Sequence, residues 1–325
     1  MDSQKERVIL TPGFHVLEPL LTTDEFGRQI VVKTIGQADK DILNKEMAEQ
    51  LVKDIKYYHS ILKNNGVAVP EQISVEMINH DNGRWGIVEK SLFSGIDLEK
   101  LLLKGTENDC VRLVKGILMN LNKIFLLRNL DSYDIEVTVD PKPANWVCDF
   151  SGVVYYVDLI PPRFRNGRGE ILLEFPRATP LAEDDWKFLY RRYFDRRGII
   201  HILFVQLCRL RPELRPIFSN LIIDFLTDLE DVLVLEFFNS LPAQRLAVII
   251  ESGISPGEAI NEIIDTIGLE SADNIRDIAL QLLQKKSTFL AEIFNLSHVD
   301  MSGRLHSENV EKLKKLLVKL ANGNH

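Results

Sequence analysis

Apolar positions in the first hundred residues follow two different spacings. Residues 29–35 are rich in β-branched side chains, which predicts a strand, and residues 72–78 and 84–88 have the same character. Between residues 40 and 63 the apolar positions recur every three or four residues, which predicts a helix with one apolar face, formed by Leu43, Met47, Leu51, Ile55, Tyr58 and Leu62. This part of the chain is therefore expected to combine a β-sheet with one long helix.

From residue 97 onward the spacing is mostly helical. Residues 97–103 and 107–129 are predicted helices, and the pattern is helical again from about residue 182 to the end. Residues 146–148 and 153–159 interrupt it as two short strands joined by a turn. This order favours a two-lobed α+β fold, with a β-rich N-terminal lobe and a mainly helical C-terminal lobe, over an alternating doubly wound sheet.

The length supports a division into more than one region, because a single domain typically has roughly 100–200 residues and this chain has 325. We expect an N-terminal lobe over residues 1–95, which holds the sheet and its helix. Residues 96–227 are expected to form the core of the C-terminal lobe, and residues 228–325 a helical extension of it.

Composition and charge exclude several classes of protein. Hydrophobic residues make up 45% of the chain, which is too much for a mainly disordered protein. The net charge of −8 argues against general nucleic-acid binding, which needs a basic surface. Three cysteines without a CxxC motif are too few for a disulfide framework. The most apolar stretch, residues 198–208, is too short to span a bilayer. The charged N-terminus has no apolar signal region, so the expected setting is cytoplasmic with no transmembrane segment.

The most distinctive motif is Asp140-Pro-Lys142-Pro-Ala-Asn145, which lies just before the predicted hairpin. Asp158 is thirteen residues after Asn145, near the end of the second strand, so the hairpin can return it to the start of the first strand. A carboxylate and an amide oxygen are hard ligands that suit Mg²⁺, and Lys142 offers a positive charge for a phosphate. We therefore expect Asn145 and Asp158 to face one cavity.

Asp140-x-Lys142-Pro-x-Asn145 followed by Asp158 resembles the catalytic loop and metal-binding aspartate of the protein-kinase-like fold, which also includes aminoglycoside- and choline-type small-molecule phosphotransferases. The resemblance implies that Asp140 is the catalytic base and that Lys142 neutralises the γ-phosphate. It also implies that Asn145 and Asp158 bind Mg²⁺. The cofactors implied are ATP and magnesium.

The same resemblance extends to the predicted sheet. Val31-Val-Lys33 is similar to the strand whose lysine contacts the α- and β-phosphates, and its ion-pair partner is expected on the next helix, at Glu49 with Glu46 as the reserve candidate. Residues 86–95 resemble the strand and connector that hold adenine through backbone groups, which makes Glu89 and Ser91 candidate nucleotide contacts.

Several departures bear on the acceptor. Thr138 and Val139 stand where protein kinases have His-Arg, and Leu159-Ile-Pro-Pro follows the metal-binding aspartate instead of Phe-Gly. No G-x-G-x-x-G occurs between residues 12 and 30, where only Gly13 and Gly27 are found. The resulting hypothesis is an ATP- and Mg²⁺-dependent phosphotransferase acting on a hydroxyl of a small molecule, including an anionic one. The alternatives are a catalytically weak or inactive pseudokinase that binds partners, and a protein Ser/Thr kinase.

The segment after Asp158 is unusually basic. Residues 163–197 carry nine arginines and lysines, among them Arg163 and Arg192, in a chain that is acidic overall. One interpretation is that they attract an anionic substrate to the mouth of the site. The interpretation that we favour is a solvated helix face with local ion pairs.

Overall fold

A computed structural model describes residues 19–35, 44–79, 84–126, 132–166, 171, 189–190 and 192–240. The fold is mixed α+β. The chain divides into two compact units, residues 1–195 and 196–325. The expected boundaries after residues 95 and 227 stay predictions, and most of the expected extension at 228–325 lies outside the described residues.

The first unit contains a four-stranded antiparallel sheet. Its strands are β1 (Leu20–Thr23), β2 (Gln29–Ile35), β3 (Gln72–Asn79) and β4 (Trp85–Leu92), in the order β1-β2-β4-β3. The three predicted strands are confirmed, although β4 runs four residues beyond its predicted end. The register of β2 and β4 places Lys33 directly opposite Glu89, and this pairing determines the surroundings of that lysine.

Helix α1 (Lys45–Asn64) packs against β3 and β4, as the apolar spacing predicted. The buried apolar face of this helix consists of Ala48, Leu51, Ile55, Tyr58 and Leu62. It differs from the predicted face at its start, where Ala48 is buried in place of Met47. Met47 is 41% exposed. One residue corresponds to about 100° of rotation along an α-helix, so Met47 points away from the sheet when Ala48 is buried. Leu43 lies outside the described residues.

A second, smaller sheet follows in the same unit. Strands β5 (Ile96–Asp97), β6 (Trp146–Cys148) and β7 (Val154–Tyr156) are antiparallel, in the order β5-β6-β7, with helices α2 (Leu98–Lys104) and α3 (Glu107–Phe125) between β5 and β6 in the chain. The predicted hairpin is confirmed, with a shorter second strand. Gly116 allows α3 to approach β7 closely, because a Cβ there would lie 2.4 Å from Val154 Cγ2.

The second unit is helical as far as the structure describes it. It contains α4 (Arg196–Leu210), α5 (Arg215–Asp228) and α6 (Val232–Ser240). The rings of Phe204 and Phe238 meet edge to face, 4.9 Å apart, which packs α4 against α6. Arg196 and Asp231 form a buried bidentate ion pair. Arg196 Nε donates to Asp231 Oδ2 at 2.7 Å, and its Nη2 donates to Asp231 Oδ1 at 3.2 Å. None of the described helices is long and apolar enough to cross a bilayer.

Candidate functional site

The loop that carries Asp140, Lys142 and Asn145 is held in a tight turn. Residues 143–145 form one turn of 3₁₀ helix, in which the Asn145 N–H donates to the Lys142 carbonyl at 2.9 Å. The Asn145 side-chain amide donates to the Asp140 carbonyl at 3.4 Å. Trp146, fully buried directly after the loop, anchors its end. Prolines at positions 141 and 143 restrict the backbone further.

The hairpin returns the chain beside this loop. The Val157 N–H donates to the Asn145 carbonyl at 3.0 Å, so Asp158, the next residue, lies close to the loop. The Asp140 N–H donates to the Tyr156 hydroxyl at 3.1 Å, which ties the loop to β7 as well. The hairpin argument from the sequence thus placed Asp158 in the correct neighbourhood.

An open cleft lies between the first sheet and this hairpin, within the first unit. One wall comes from β2, β4 and the residues after β4, and includes Val31, Lys33, Ser91 and Phe93; Ala144, Val147 and Val157 belong to the opposite wall. The lining is mainly apolar, with Lys33 as its basic group and Asp97 as its acidic group. The Lys33 ammonium donates to the Val157 carbonyl, one residue before Asp158.

The predicted Lys33–Glu49 pair is not found. The Lys33 Nζ lies 3.8 Å from Glu89 Oε2, on the strand directly opposite. Glu49 instead lies 3.8 Å from Lys45 on its own helix and is 47% exposed, and Glu46, the reserve candidate, is exposed as well. The physical reason is the sheet register: Glu89 is a cross-strand neighbour of Lys33, and such pairs lie within side-chain reach.

Glu89 and Ser91 have different surroundings from those expected. Glu89 is 2% exposed. Its Oε1 accepts from the Gln72 side chain at 3.2 Å, and its Oε2 is the oxygen that lies 3.8 Å from Lys33. The Glu89 carboxylate is therefore shared between two protein side chains. Ser91 is buried and lines the cleft. The N–H groups of Leu92 and Phe93 already donate to carbonyls at Glu71 and Gln29, and these two donors are therefore not available to a base. Whether Glu89 and Ser91 contact a nucleotide stays a prediction.

The turn between β1 and β2 does not supply a phosphate-binding loop. Asp24 closes this turn by accepting the N–H groups of Phe26 and Arg28, at 3.0 and 2.8 Å, and Gly27 has a positive φ of 79°. The turn ends just before Gln29. Gln29 is four residues from Lys33, which corresponds to about 13 Å along the strand. Gly13, the other glycine of this region, lies outside the described residues.

Asp140 is buried among positive charges. Its Oδ2 lies 3.4 Å from the Arg192 guanidinium and 3.8 Å from the Lys142 ammonium. Burial alone would favour the protonated acid, but Arg192, Arg163 and Lys142 together hold the pKa of the Asp140 carboxyl below its usual value. The pKa of Lys142 is lowered, first by burial and then by the two arginines, while the two aspartates oppose the change. Asp140 is thus an ionised and neutralised carboxylate.

Asp158 is bound by a second arginine. The Nη2 atom of Arg163 lies 3.2 Å from Asp158 Oδ2, and its Nη1 donates to the Asp158 carbonyl at 3.3 Å and to the Tyr156 hydroxyl at 3.1 Å. Arg163 is 4% exposed at its side chain and lies over the Tyr193 ring at 4.6 Å. The favoured interpretation of this segment, a solvated helix face, is therefore wrong for Arg163.

A magnesium ion on Asn145 and Asp158 does not fit this arrangement. Asn145 has its amide nitrogen on the Asp140 carbonyl, which leaves its oxygen for a metal, but one oxygen of Asp158 is taken by Arg163. A divalent ion on this carboxylate would be repelled by the Arg163 guanidinium, which already neutralises the charge that would attract the ion. Among the described residues no group of three or more His, Cys, Asp or Glu side chains could hold a metal ion.

Two residues of this network, Tyr156 and Tyr193, were not identified from the sequence. The ion pair between Arg163 and Asp158 was not predicted either. The hydroxyl of Tyr156 accepts from both Asp140 and Arg163. Tyr193 lies beneath the guanidinium groups of Arg163 and Arg192. The only signal in the sequence was the short separation of Arg163 from Asp158, with two prolines between them.

The comparisons with known proteins yield a family and likenesses to solved structures. No curated protein matches the chain. Among solved structures, the chain is similar to the pseudokinase domain of BIR2, an immune regulator of the RLK/Pelle family, at 11% identity and a TM-score of 0.36; the match covers 98% of this chain and 82% of that one. The family model for DUF6206, a family of unknown function, matches residues 19–231, so the chain belongs to that family.

Proposed function

We propose that this protein is a nucleotide-binding protein with a protein-kinase-like cleft, and that Lys33 contacts the phosphates. One observation carries the proposal: the mainly apolar cleft has Lys33 in its wall, hydrogen-bonded to the backbone beside Asp158. An apolar pocket with a few convergent polar groups is the usual form of a small-molecule site. The base would lie against Val31 and Val147, and the phosphates would approach Lys33 and the loop at 140–145.

The charges at this end of the cleft support an anionic ligand. Four basic side chains, namely Lys33, Lys142, Arg163 and Arg192, form ion pairs with three acidic ones, namely Glu89, Asp140 and Asp158. These pairs carry an excess of one positive charge in a chain whose net charge is −8, and Asp97 is the acidic residue in the cleft lining. Such a local reversal of sign raises the local concentration of anions and orients them.

Thermal denaturation with ATP, measured in EDTA and in Mg²⁺, tests nucleotide binding. Ligand at about 100 times its Kd stabilises by about 2.7 kcal/mol, which corresponds to about 5–10 °C in a unit of this size. Lys33→Met should remove the shift. Lys90→Met is the matched control, because Lys90 is the neighbour of Glu89 on β4 and does not line the cleft. If wild type shows no shift in either buffer, the cleft is not a nucleotide site.

A second candidate function is the phosphotransferase expected from the sequence. The observation that favours it is the ionised carboxylate of Asp140 beside Lys142 in a rigid loop. In this reaction the bond between the β,γ-bridging oxygen and the γ-phosphorus breaks, the acceptor oxygen bonds to that phosphorus, and the hydroxyl proton passes to Asp140. ADP leaves with the bridging oxygen. Arg192 would have to release Asp140 Oδ2 before an acceptor could approach.

A coupled assay for ADP release, run with a panel of hydroxyl compounds and with a protein substrate, tests the second candidate. Activity that depends on an acceptor and is lost in Asp140→Asn, but kept in the exposed control Asp224→Asn, would establish a phosphotransferase. Nucleotide binding without ADP release from any acceptor would leave the binding protein as the function.

A further inference from the structure

Arg163 supplies the positive charge that Asp158 would otherwise take from a metal ion. It contacts both the carboxylate and the carbonyl of Asp158, at 3.2 and 3.3 Å, so it binds this residue at two points. The Tyr156 hydroxyl and the Tyr193 ring hold it on two further sides. A guanidinium with this many fixed partners is preorganised and does not need to be recruited by a ligand.

The burial of Arg163 strengthens this arrangement. Its side chain is 4% exposed, whereas that of Asp158 is 26% exposed, so the arginine lies on the protein side of the carboxylate. Removing Arg163 from Asp158 would leave a buried charge without its ionic partner, which is strongly unfavourable. A metal ion therefore competes for Asp158 with a group that is already in place.

Two other cations remain closer to solvent at the same loop. Lys142 is 39% exposed and Arg192 is 15% exposed, and both lie on Asp140 Oδ2. Lys33 is paired with Glu89, and Lys142 and Arg192 share Asp140, so these groups keep an excess of one positive charge when Arg163 neutralises Asp158. This excess attracts an anion without a divalent ion.

We propose that the site binds the phosphates of its nucleotide without a divalent metal, with Arg163 neutralising Asp158 in place of the metal ion. The inference rests on the proposed nucleotide binding and goes further, since a site of the expected type would need Mg²⁺. Lys33, Lys142 and Arg192 bind the phosphates, and Asn145 positions the loop by its bond to the Asp140 carbonyl.

Calorimetric titration with ATP, in EDTA and in excess Mg²⁺, tests the inference. Wild type should bind ATP in EDTA with a Kd within about threefold of that in Mg²⁺. Arg163→Gln should bind at least about tenfold more weakly in EDTA than in Mg²⁺, because Asp158 is then free to repel phosphate and to accept a metal. Arg112→Gln, at an exposed arginine on α3, is the matched control and should behave as wild type.

Direct metal binding gives a second measurement that does not depend on the nucleotide. Titration with Mn²⁺, followed by electron paramagnetic resonance, should show no ion bound to wild type at this site and one bound to Arg163→Gln. Circular dichroism checks that the variant is folded. If it is not, the double variant Arg163→Gln/Asp158→Asn replaces it, and this variant should keep full ATP binding in EDTA, since neither an unpaired arginine nor a carboxylate remains at this position.

The outcomes separate the two proposals. If wild type binds ATP at least about tenfold more weakly in EDTA than in Mg²⁺, the metal displaces Arg163; the inference is then wrong and nucleotide binding stands. A loss of ATP binding in the double variant Arg163→Gln/Asp158→Asn, in EDTA, would also overturn the inference, because Arg163 would then contact the phosphates itself. If ATP binds in neither buffer, the proposed function fails, and the inference fails with it.

Discussion

Replacing Tyr156 by phenylalanine removes a single oxygen atom from the centre of the site. That oxygen accepts the Asp140 N–H and one Arg163 nitrogen, both at 3.1 Å, and the residue is fully buried. The ring, and therefore its packing at 5.1 Å from Trp146, is unchanged by the substitution. The variant thus measures how much the hydroxyl contributes through its hydrogen bonds, which include those to the loop, to Arg163 and to Tyr58.

The magnitude follows from the partners that lose their acceptor. A buried N–H without a partner costs about 1–3 kcal/mol, and a hydrogen bond to a charged group contributes about 1.5–3 kcal/mol. The same Arg163 nitrogen keeps its bond to the Asp158 carbonyl, which reduces the second contribution. We therefore expect Tyr156→Phe to lower the free energy of unfolding by about 2–4 kcal/mol, and the Tm by about 4 °C or more.

Urea denaturation followed by circular dichroism measures this loss, with Tyr155→Phe as the matched control. Tyr155 is the preceding residue on β7, is partly exposed and donates to Asp149 at 3.4 Å, so its loss should cost less than about 1 kcal/mol. The reasoning is refuted if Tyr156→Phe lies within about 0.5 kcal/mol of wild type, or if the two variants are equally destabilised.

Three further predictions concern other parts of the structure. Gly95→Ala should prevent folding of the first unit or destabilise it by several kcal/mol, since φ is +124° and the new Cβ would lie 2.1 Å from a β6 carbonyl oxygen; soluble yield and Tm measure this. Asp231→Ala should cost about 3–5 kcal/mol in urea denaturation by removing the carboxylate that is paired with the buried Arg196, whereas exposed Asp228→Ala should be nearly neutral. Because the folded pKa of Asp140 is depressed, the contribution of its carboxylate to stability is complete above the ordinary value of 3.8 and is lost as the pH falls towards the folded value. Asp140→Asn should therefore flatten the acid limb of the stability profile below 3.8.

The sequence predicted the strand that carries Lys33, because a run of β-branched residues has few other stable conformations. It did not predict the partner of that lysine. Counting sixteen residues forward led to Glu49, a position on a helix, whereas the pairing is set by the register between β2 and β4. Register depends on contacts between segments more than fifty residues apart, and a spacing along one segment does not contain that information.

The loop and hairpin were predicted more completely than their surroundings. Asp140, Asn145 and Asp158 are close together because local turns and one short hairpin determine their positions, and such local structure can be inferred from sequence. The sequence shows that the segment containing Arg163 and Arg192 is rich in basic residues, but it does not show where their side chains lie. A basic residue is usually solvated, and nothing in their local spacing shows that one of them lies buried behind a carboxylate.

Tyr193 has a consequence for how this family can change during evolution. The guanidinium groups of Arg163 and Arg192 lie over the same ring, at 4.6 and 5.1 Å, and each is paired with a different aspartate. A relative that loses either aspartate retains a poorly compensated positive charge beside a second one. We therefore expect substitutions of Asp140 and Asp158 among relatives to be accompanied by replacement of the paired arginine, so that each acid–base pair is inherited or lost as a unit.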